Sequence, residues 1–440
     1  MSDAIVPAVA ARATFPPSLW AAVTPPGRDW PVLETSLSTD VTVIGAGFTG
    51  LAAALELRRR GVAVAVVEAM EPGWGASGRN NGQVIPTLSR PDPDDIAARH
   101  GETGERFAAL LRDSAADLFD LVRREGIAAE AEQTGWVQPA HSPGRMRIAE
   151  RRVAEWTRRG ADVELLTRDE VAQKLGTRAW HGGWWARTGG HINPLALARG
   201  LAECAARAGA EIFAGTAALA ANCTRTNWVV TTPQGRVISR AMILATNAYT
   251  GELVAGLAPQ VAREVVPVPS WQMATAPIPE AHLPGILPAR TAVSDTRAEL
   301  HFMRLDARNR LVTGGALAVP VNARSRLERM VGRRLTAMFP EFGTPRFEYV
   351  WNGYVGMTAD FLPRVHDIGR GGVAWTGCNG RAVALSLSIG RELARAVSGV
   401  ARREIPLPFS EVRPPPLHGL VRRVAPLRLI TYRRRDRREI

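Results

Sequence analysis

Val41-Thr42-Val43-Ile44-Gly45-Ala46-Gly47-Phe48-Thr49-Gly50 is the stretch whose reading decides the fold. A strand-like run enters three glycines spaced G-x-G-x-x-G, and a helix-like segment, residues 51–60, follows. A second apolar run, residues 62–67, ends on Glu68, about 18 residues beyond Gly50. This is a strand–helix–strand unit with a dinucleotide fingerprint inside it. Gly45 permits the tight turn, Gly47 lets the backbone approach a pyrophosphate, and Gly50 allows close helix-on-strand packing. Ala46, Phe48 and Thr49 stand between them, where exposed N–H groups of a helix N-terminus favour an anion. Glu68 can accept hydrogen bonds from ribose hydroxyls, which a 2′-phosphate would disrupt. A lone fingerprint is weak, but here strands, helix and acid supply its context.

The next segment selects the dinucleotide. Gly73-Trp74-Gly75-Ala76-Ser77-Gly78-Arg79-Asn80-Asn81-Gly82-Gln83 follows the acidic strand end directly. A nicotinamide domain would normally continue into another helix and strand. This chain instead offers a glycine-rich polar loop that can surround phosphates and an isoalloxazine ring. The segment resembles the FAD-binding signature of the D-amino-acid oxidase/sarcosine oxidase family. It is most similar to the gamma-glutamylputrescine oxidase branch, where the loop typically reads GASGRNGGQ; Asn81 replaces the first glycine of that pair. The resemblance implies FAD contacts from Glu68, Ala69, Gly75, Ala76, Ser77, Arg79, Asn80, Asn81, Gly82 and Gln83.

Other landmarks extend the resemblance over most of the chain. Trp20 and the proline-rich stretch before residue 40 look like the N-terminal arm of this branch. Gly190-His191-Ile192-Asn193-Pro194 and the helix-like residues after it resemble the family's G-x-hydrophobic-x-P element. Met242-Ile243-Leu244-Ala245-Thr246-Asn247-Ala248-Tyr249 resembles the strand and turn that return to the cofactor. Residues 351–363 and Trp375-Thr376-Gly377-Cys378-Asn379-Gly380-Arg381 look like the C-terminal flavin element, which implies cofactor contacts from Gly377, Asn379, Gly380 and Arg381. Residues 382–397 are the candidate for the family's helix aimed at the flavin pyrimidine ring, where negative charge develops.

Composition fits a soluble enzyme. A chain of 440 residues with 46% hydrophobic content supports a large core and two domains. Cys204, Cys223 and Cys378 are odd in number and far apart, without CxxC, so neither a disulfide scaffold nor a metal site is expected. No apolar run approaches the ~20 residues of a membrane-spanning helix. The beginning of the sequence carries Asp3 and prolines rather than a basic region and long apolar core, so a secretory signal is not expected. The expected location is cytoplasmic.

Net charge is +13, carried almost wholly by arginine, because Lys174 is the only lysine. Much of the excess lies in Arg413, Arg422, Arg423, Arg428, Arg433, Arg434, Arg435, Arg437 and Arg438. The plain reading is a solvated tail packed partly on the body. Leu417, Leu420, Val421, Val424 and Leu427 beside those arginines also suit a peripheral membrane face. A basic patch can bind RNA, though no specific nucleic-acid partner is expected.

The expected fold class is α/β (α+β two-domain): a Rossmann-like FAD-binding domain with a second antiparallel-sheet substrate domain. Residues 1–35 form an N-terminal arm. Residues 36–90, 160–255 and 346–400 form a discontinuous FAD-binding domain, and 91–159 with 256–345 form the substrate domain; 401–440 is the basic tail. Residues 91–160 read mostly as helices, with Phe107, Leu110, Leu111, Leu118, Leu121 and Val122 at helical spacing. A meander is expected after residue 209, with strands at 211–213, 228–232, 237–239 and 241–245. From about 256 to 345, apolar runs divided by turn residues suggest an antiparallel sheet with a helix at 325–338.

The resemblance implies FAD-dependent oxidation of a C–N bond in a small amine or amino acid, giving an imine that hydrolyses. The hydride leaves a carbon next to a neutral nitrogen, so no dedicated carboxylate base is required. Sarcosine oxidases attach flavin through a cysteine in the segment matching 351–363; none lies there, so FAD is expected to be non-covalent. Those relatives also activate oxygen with a lysine, and Lys174 lies in a polar helix-like stretch that reads as surface. Reoxidation by O2 is the expectation, with a quinone- or carrier-linked dehydrogenase at the membrane surface as its alternative. A flavoprotein that acts mainly by binding RNA or membrane is the alternative from another class. Arg304 matches a family position near the substrate cavity and could hold a carboxylate bidentately. His301 is the second catalytic candidate. An ordinary interdomain arginine and a structural histidine are the plainer readings of those two, and His191 and Arg297 carry the same plain readings. Trp271 and Tyr354 could wall the cavity.

Overall fold

The computed structural model describes residues 15–439. Residues 1–14, which carry the expectation of no secretory signal, lie outside them. The fingerprint strand Leu37–Ile44 sits at the centre of a nine-stranded sheet, parallel to Val64–Val67 on one side and to Arg236–Leu244 on the other. Glu211–Phe213 extends the first side. Gly372–Thr376, Arg364–Gly369 and Phe409–Ser410 complete the other. The Ala220–Cys223 and Trp228–Thr231 hairpin branches from Arg236–Leu244. Val41 and Val43 point into one core beneath the helices, while Ile44 joins another on the opposite face. A strand buried on both faces is what a parallel sheet requires.

Two glycines set how closely the helices approach. Helix Phe48–Arg59 packs against helix Val383–Val397. A Cβ on Gly390 would lie 2.3 Å from the Thr49 carbonyl oxygen and 2.9 Å from Ala52 Cβ. A Cβ on Gly50 would fall 1.9 Å from the Gly45 carbonyl oxygen, so the turn closes only with glycine there. Gly45 itself has φ +102°, a conformation that L side chains rarely adopt.

The second sheet has eight strands in the order Phe347–Met357, Val266–Pro277, Arg310–Gly315, Phe302–Leu305, Ala292–Ser294, Trp136–Pro139, Gly183–Ala186, Val163–Leu166. Its pairings are antiparallel except for Ala292–Ser294 with Trp136–Pro139, which makes it mixed. Helix Ala323–Met338 covers it through Leu327, Val331 and Leu335. The α/β fold with two sheets is the one expected.

Several boundaries differ from the expectation. Val163–Leu166 and Gly183–Ala186 belong to the second sheet rather than the first, because both hydrogen-bond in the Trp136–Pro139 group. Phe347–Met357 is likewise an edge strand of the second sheet, on Val266–Pro277. Helix Pro93–Glu125 buries Phe107, Leu111 and Leu118 in the core of the first sheet, so this part of 91–159 belongs there. The expected meander holds in part: Trp228–Thr231 pairs antiparallel with Arg236–Leu244, but Glu211–Phe213 pairs parallel to Val64–Val67, and residues 237–239 and 241–244 form one strand. Residues 401–439 are folded onto the body, with an edge strand and the helices His418–Val424 and Arg428–Arg438. Among the described residues no helix is long and apolar enough to cross a membrane.

Gly390→Val forces the two central helices apart and is expected to cost on the order of 2 kcal/mol. Thermal denaturation checks this, and an unchanged Tm would contradict the packing.

Candidate active site

A cavity of about 640 Å³ opens where the parallel strands end, beside Ile44, Val67 and Ala245, and continues to the second sheet. Crevices outside the carboxyl ends of parallel strands are where such folds bind ligands. Gly45, Ala46, Gly47, Phe48, Thr49, Glu68, Ala69, Gly75, Ala76, Ser77, Arg79, Asn80, Asn81, Gly82, Gln83, Asn379, Gly380 and Arg381 all line it. Gly50 and Gly377 do not; they shape the turns behind the wall.

At the fingerprint end Gly47 is the N-cap of helix Phe48–Arg59 and has no side chain to close it. The Ser77 hydroxyl accepts the Phe48 N–H at 3.0 Å, so loop and helix N-terminus are joined. Glu68 accepts N–H groups of Ala46 at 2.7 Å and Met70 at 3.0 Å. Burial raises its pKa above the usual carboxylate value, and those N–H groups offset only part of the rise.

The loop 73–83 is held rather than draped. Asn80 accepts the Gly82 N–H at 2.7 Å and donates to the carbonyls of Ala76 and Ser77. Gln83 donates to the Val293 carbonyl at 2.9 Å and accepts the Ser294 hydroxyl at 2.7 Å, which ties the loop to the second sheet. Arg79 donates to the Trp74 carbonyl at 2.7 Å and lies over the Trp74 ring, 4.0 Å from its centroid. Its Nη2, together with Thr49 Oγ1, Trp74 Nε1 and Asn81 Oδ1, is buried without a hydrogen-bond partner. All four atoms belong to residues that line the cavity.

The opposite wall comes from the C-terminal element. Gly377, Asn379 and Gly380 all have positive φ, and Asn379 accepts the Thr358 N–H at 2.9 Å. Asn247, also at positive φ, accepts the Gly377 N–H at 3.0 Å. Arg381 is buried over the Trp136 ring, and desolvation lowers its pKa to about 9. Ala382, Val383 and Ser386, at the start of helix Val383–Val397, reach the cavity. Cys378 lines the cavity too and packs only in part.

Arg304 is not in the cavity wall. It is buried, with Nε to the Asn81 carbonyl at 3.0 Å, Nη2 to Ile192 at 2.8 Å and Nη1 to Leu305 at 3.1 Å. The guanidinium is spent on backbone carbonyls and lies over the Trp20 ring, so it positions the loop and is not free for a carboxylate. His301 also lies behind the lining, near buried Asp295, and burial holds its pKa well below the usual value. Arg297 does line the cavity and pairs with Asp295. Tyr354 lines it as expected, whereas Trp271 packs into the second core.

Tyr249, Gln272, Tyr432 and Arg435 are lining residues that sequence reasoning did not single out. Tyr249 ends a quoted segment, and its hydroxyl accepts the Tyr354 N–H at 3.2 Å. Tyr432 and Arg435 had no signal beyond the basic run. The sole lysine, Lys174, packs 3.6 Å from the Trp185 ring centroid and lies outside the cavity lining. Among the described residues no cluster of His, Cys, Asp and Glu could hold a metal.

Comparison with known proteins agrees with this geometry. The family model described as FAD dependent oxidoreductase (DAO) matches residues 40–396. The gamma-glutamylputrescine oxidoreductase of Escherichia coli K12 is 29% identical over 373 residues, 84% of this chain and 86% of that protein. A probable oxidoreductase OrdL of Rhizobium meliloti is 30% identical over 384 residues, 86% and 88% of the two chains. Among solved structures, glycine oxidase from Geobacillus kaustophilus shares the fold at a TM-score of 0.68 and 22% identity, over 82% of this chain and 95% of that one.

Two outcomes follow from the site. Glu68→Ala leaves the N–H groups of Ala46 and Met70 without their acceptor, at about 2 kcal/mol, and is expected to lower both Tm and the ratio of visible to ultraviolet absorbance in purified protein. Buried His191 has a pKa well below 6.5 and one ring nitrogen 3.0 Å from the Arg290 carbonyl. The unfolded chain therefore takes up protons first as pH falls below about 6.5, so stability declines there and is unaffected above. Melts between pH 5 and 8 should show a shallower decline for His191→Gln; an identical slope would contradict the assignment.

Proposed function

The chain belongs to the DAO family of FAD dependent oxidoreductases, and from that premise we propose that it oxidises the C–N bond of a small amine or amino acid. The observation that carries this reading is one continuous cavity, from the Gly45 turn past the 79–83 loop to a wall of second-sheet residues. The residues present fit FAD. A glycine turn that no Cβ could share, Glu68 at the end of the second strand, and unsatisfied polar atoms of Thr49, Arg79 and Asn81 match a dinucleotide's phosphate, ribose and ring groups. Residues 45–49 and Glu68 would hold the adenosine diphosphate half, and residues 79–83 with 379–383 and Ser386 the flavin half. Cys378 packs as a small side chain in this reading, so binding is non-covalent. Bound FAD supplies the two-electron acceptor for the reaction.

The protein's own part is binding and orientation. Burial keeps the Tyr249 phenol above its usual pKa, so it remains a neutral group beside Arg79. Arg145 and Arg435 share Glu439 and Arg297 pairs with Asp295, whereas Arg90, also in the lining, forms no ion pair among the described residues and offers its guanidinium to a carboxylate. That favours a substrate with a carboxylate beside, or linked to, its amine. A neutral amine needs no strong base, and the imine product hydrolyses in water.

Dioxygen is the proposed acceptor. A second reading, transfer to a quinone or carrier protein, is favoured by the position of Lys174 against Trp185, which leaves no lysine in the lining for oxygen activation.

Anaerobic mixing of purified holoprotein with polyamines, N-methyl amino acids and D-amino acids tests the reading. At least one carboxylate-bearing amine is expected to bleach the yellow absorbance, and admitting air should restore it. Bleaching without recovery in air would select the second reading, and no bleaching by any amine would overturn the first.

A further inference from the structure

The segment 417–438 wears its apolar stripe on the outside. Leu417, Leu420, Val424, Leu427 and Ile430 are exposed large hydrophobic side chains, Leu417 at 75%. Their spacing of three or four residues puts them along one side of helix His418–Val424, the turn Ala425–Leu427 and the start of helix Arg428–Arg438. Surface helices normally turn such a stripe toward the core.

The orientation is fixed by contacts on the inner side. The His418 ring meets the Val265 carbonyl at 2.8 Å, and Arg422 pairs with Glu252 at 2.7 Å. Arg433 pairs with Glu299 at 2.6 Å and donates to the Ala316 carbonyl at 2.8 Å. Buried Asp436 accepts the N–H groups of Ala298 and Glu299 at 2.8 and 3.0 Å. These contacts hold polar and charged side chains inward and leave the leucines outward.

Charge names the occupant. Between Glu411 and Asp436 the sequence contains no acid. Arg423, Arg428, Arg434, Arg437 and Arg438 are exposed and form no ion pair among the described residues. An apolar stripe rimmed by unpaired cations matches the interface of an anionic bilayer, where side chains such as Leu enter the acyl boundary and arginines meet lipid phosphates. A second copy of the chain would bring the same cations against themselves. Nucleic acid would use the arginines and leave the leucines in water.

We propose that residues 417–438 form a docking face for anionic lipid bilayers. Tyr432 and Arg435 of the same segment line the cavity, so the docking face and the cavity wall are built on one segment. This inference does not depend on which substrate the enzyme oxidises.

Flotation of the full-length holoprotein with vesicles tests it. Binding is expected to vesicles with about 30 mol % phosphatidylglycerol and to be at least tenfold weaker to phosphatidylcholine alone at about 0.1 M salt. Leu420→Asp/Leu427→Asp should lower binding at least tenfold while flavin content and Tm stay unchanged. Arg423→Gln/Arg428→Gln should weaken it by ~5-fold or more per residue and flatten its salt dependence. No binding to anionic vesicles, or binding indifferent to Leu420→Asp/Leu427→Asp, would overturn the proposal. So would a dimer in light scattering that this variant dissociates, which assigns the stripe to a second copy. Binding only after removal of residues 1–14 would assign it to the chain's own N-terminus. RNA binding that survives the leucine changes, with no vesicle binding, would assign the arginines to nucleic acid.

Discussion

The structure depends on how the loop 79–83 is pinned between its two sheets. Three backbone carbonyls of this loop are held by side chains that arrive from different parts of the chain. Trp351 Nε1 donates to Arg79 at 2.8 Å, Trp20 Nε1 to Asn80 at 2.9 Å, and Arg304 Nε to Asn81 at 3.0 Å. Gln83 then fastens the loop's end to the strand Ala292–Ser294. A loop so fixed keeps its shape beside a cavity without collapsing into it, which is the condition for a preorganised site. Gly82 shows how tight the arrangement is, since a Cβ there would lie 2.1 Å from the Ile192 carbonyl oxygen and 2.7 Å from Arg304 Nη2.

Buried arginine is the electrostatic consequence. Desolvation lowers Arg304 and Arg334 to about 10 and Arg381 to about 9, yet all three remain charged near neutrality. Each is compensated by carbonyls, a hydroxyl or an aromatic face rather than by a bidentate carboxylate. Arg381 and Arg79 therefore contribute unneutralised positive potential along a cavity that the pyrophosphate and the flavin would enter. A chain with a single lysine builds this entirely from guanidinium groups, whose several donors can be shared among carbonyls.

The fold class and the family were legible because their signals are local. The turn at Gly45, the acid at Glu68 and the glycine loop occupy one short stretch, and each residue's reason is steric or electrostatic over a few neighbours. For Arg304 the choice between its two readings was not legible, for the opposite reason. Its partners Asn81 and Ile192 are more than a hundred residues away, and a strand arginine looks the same whether it faces a cavity or carbonyls. Short strands such as Val163–Leu166 carry too few residues for alternation to say which sheet they join. The tail showed helical apolar spacing among arginines, but spacing cannot say whether the stripe faces inward. Asp436, Arg433, Arg422 and His418 decide that, through contacts with Ala298, Glu299, Glu252 and Val265.

The most direct test of the pinned-loop account is a titration of FAD fluorescence with apoprotein and with its Arg304→Met variant. The wild-type chain is expected to quench the fluorescence saturably. The variant, altered outside the cavity, should bind at least tenfold more weakly and shift the visible flavin bands. Equal affinity and identical spectra, or no quenching by the wild-type chain, would contradict the account.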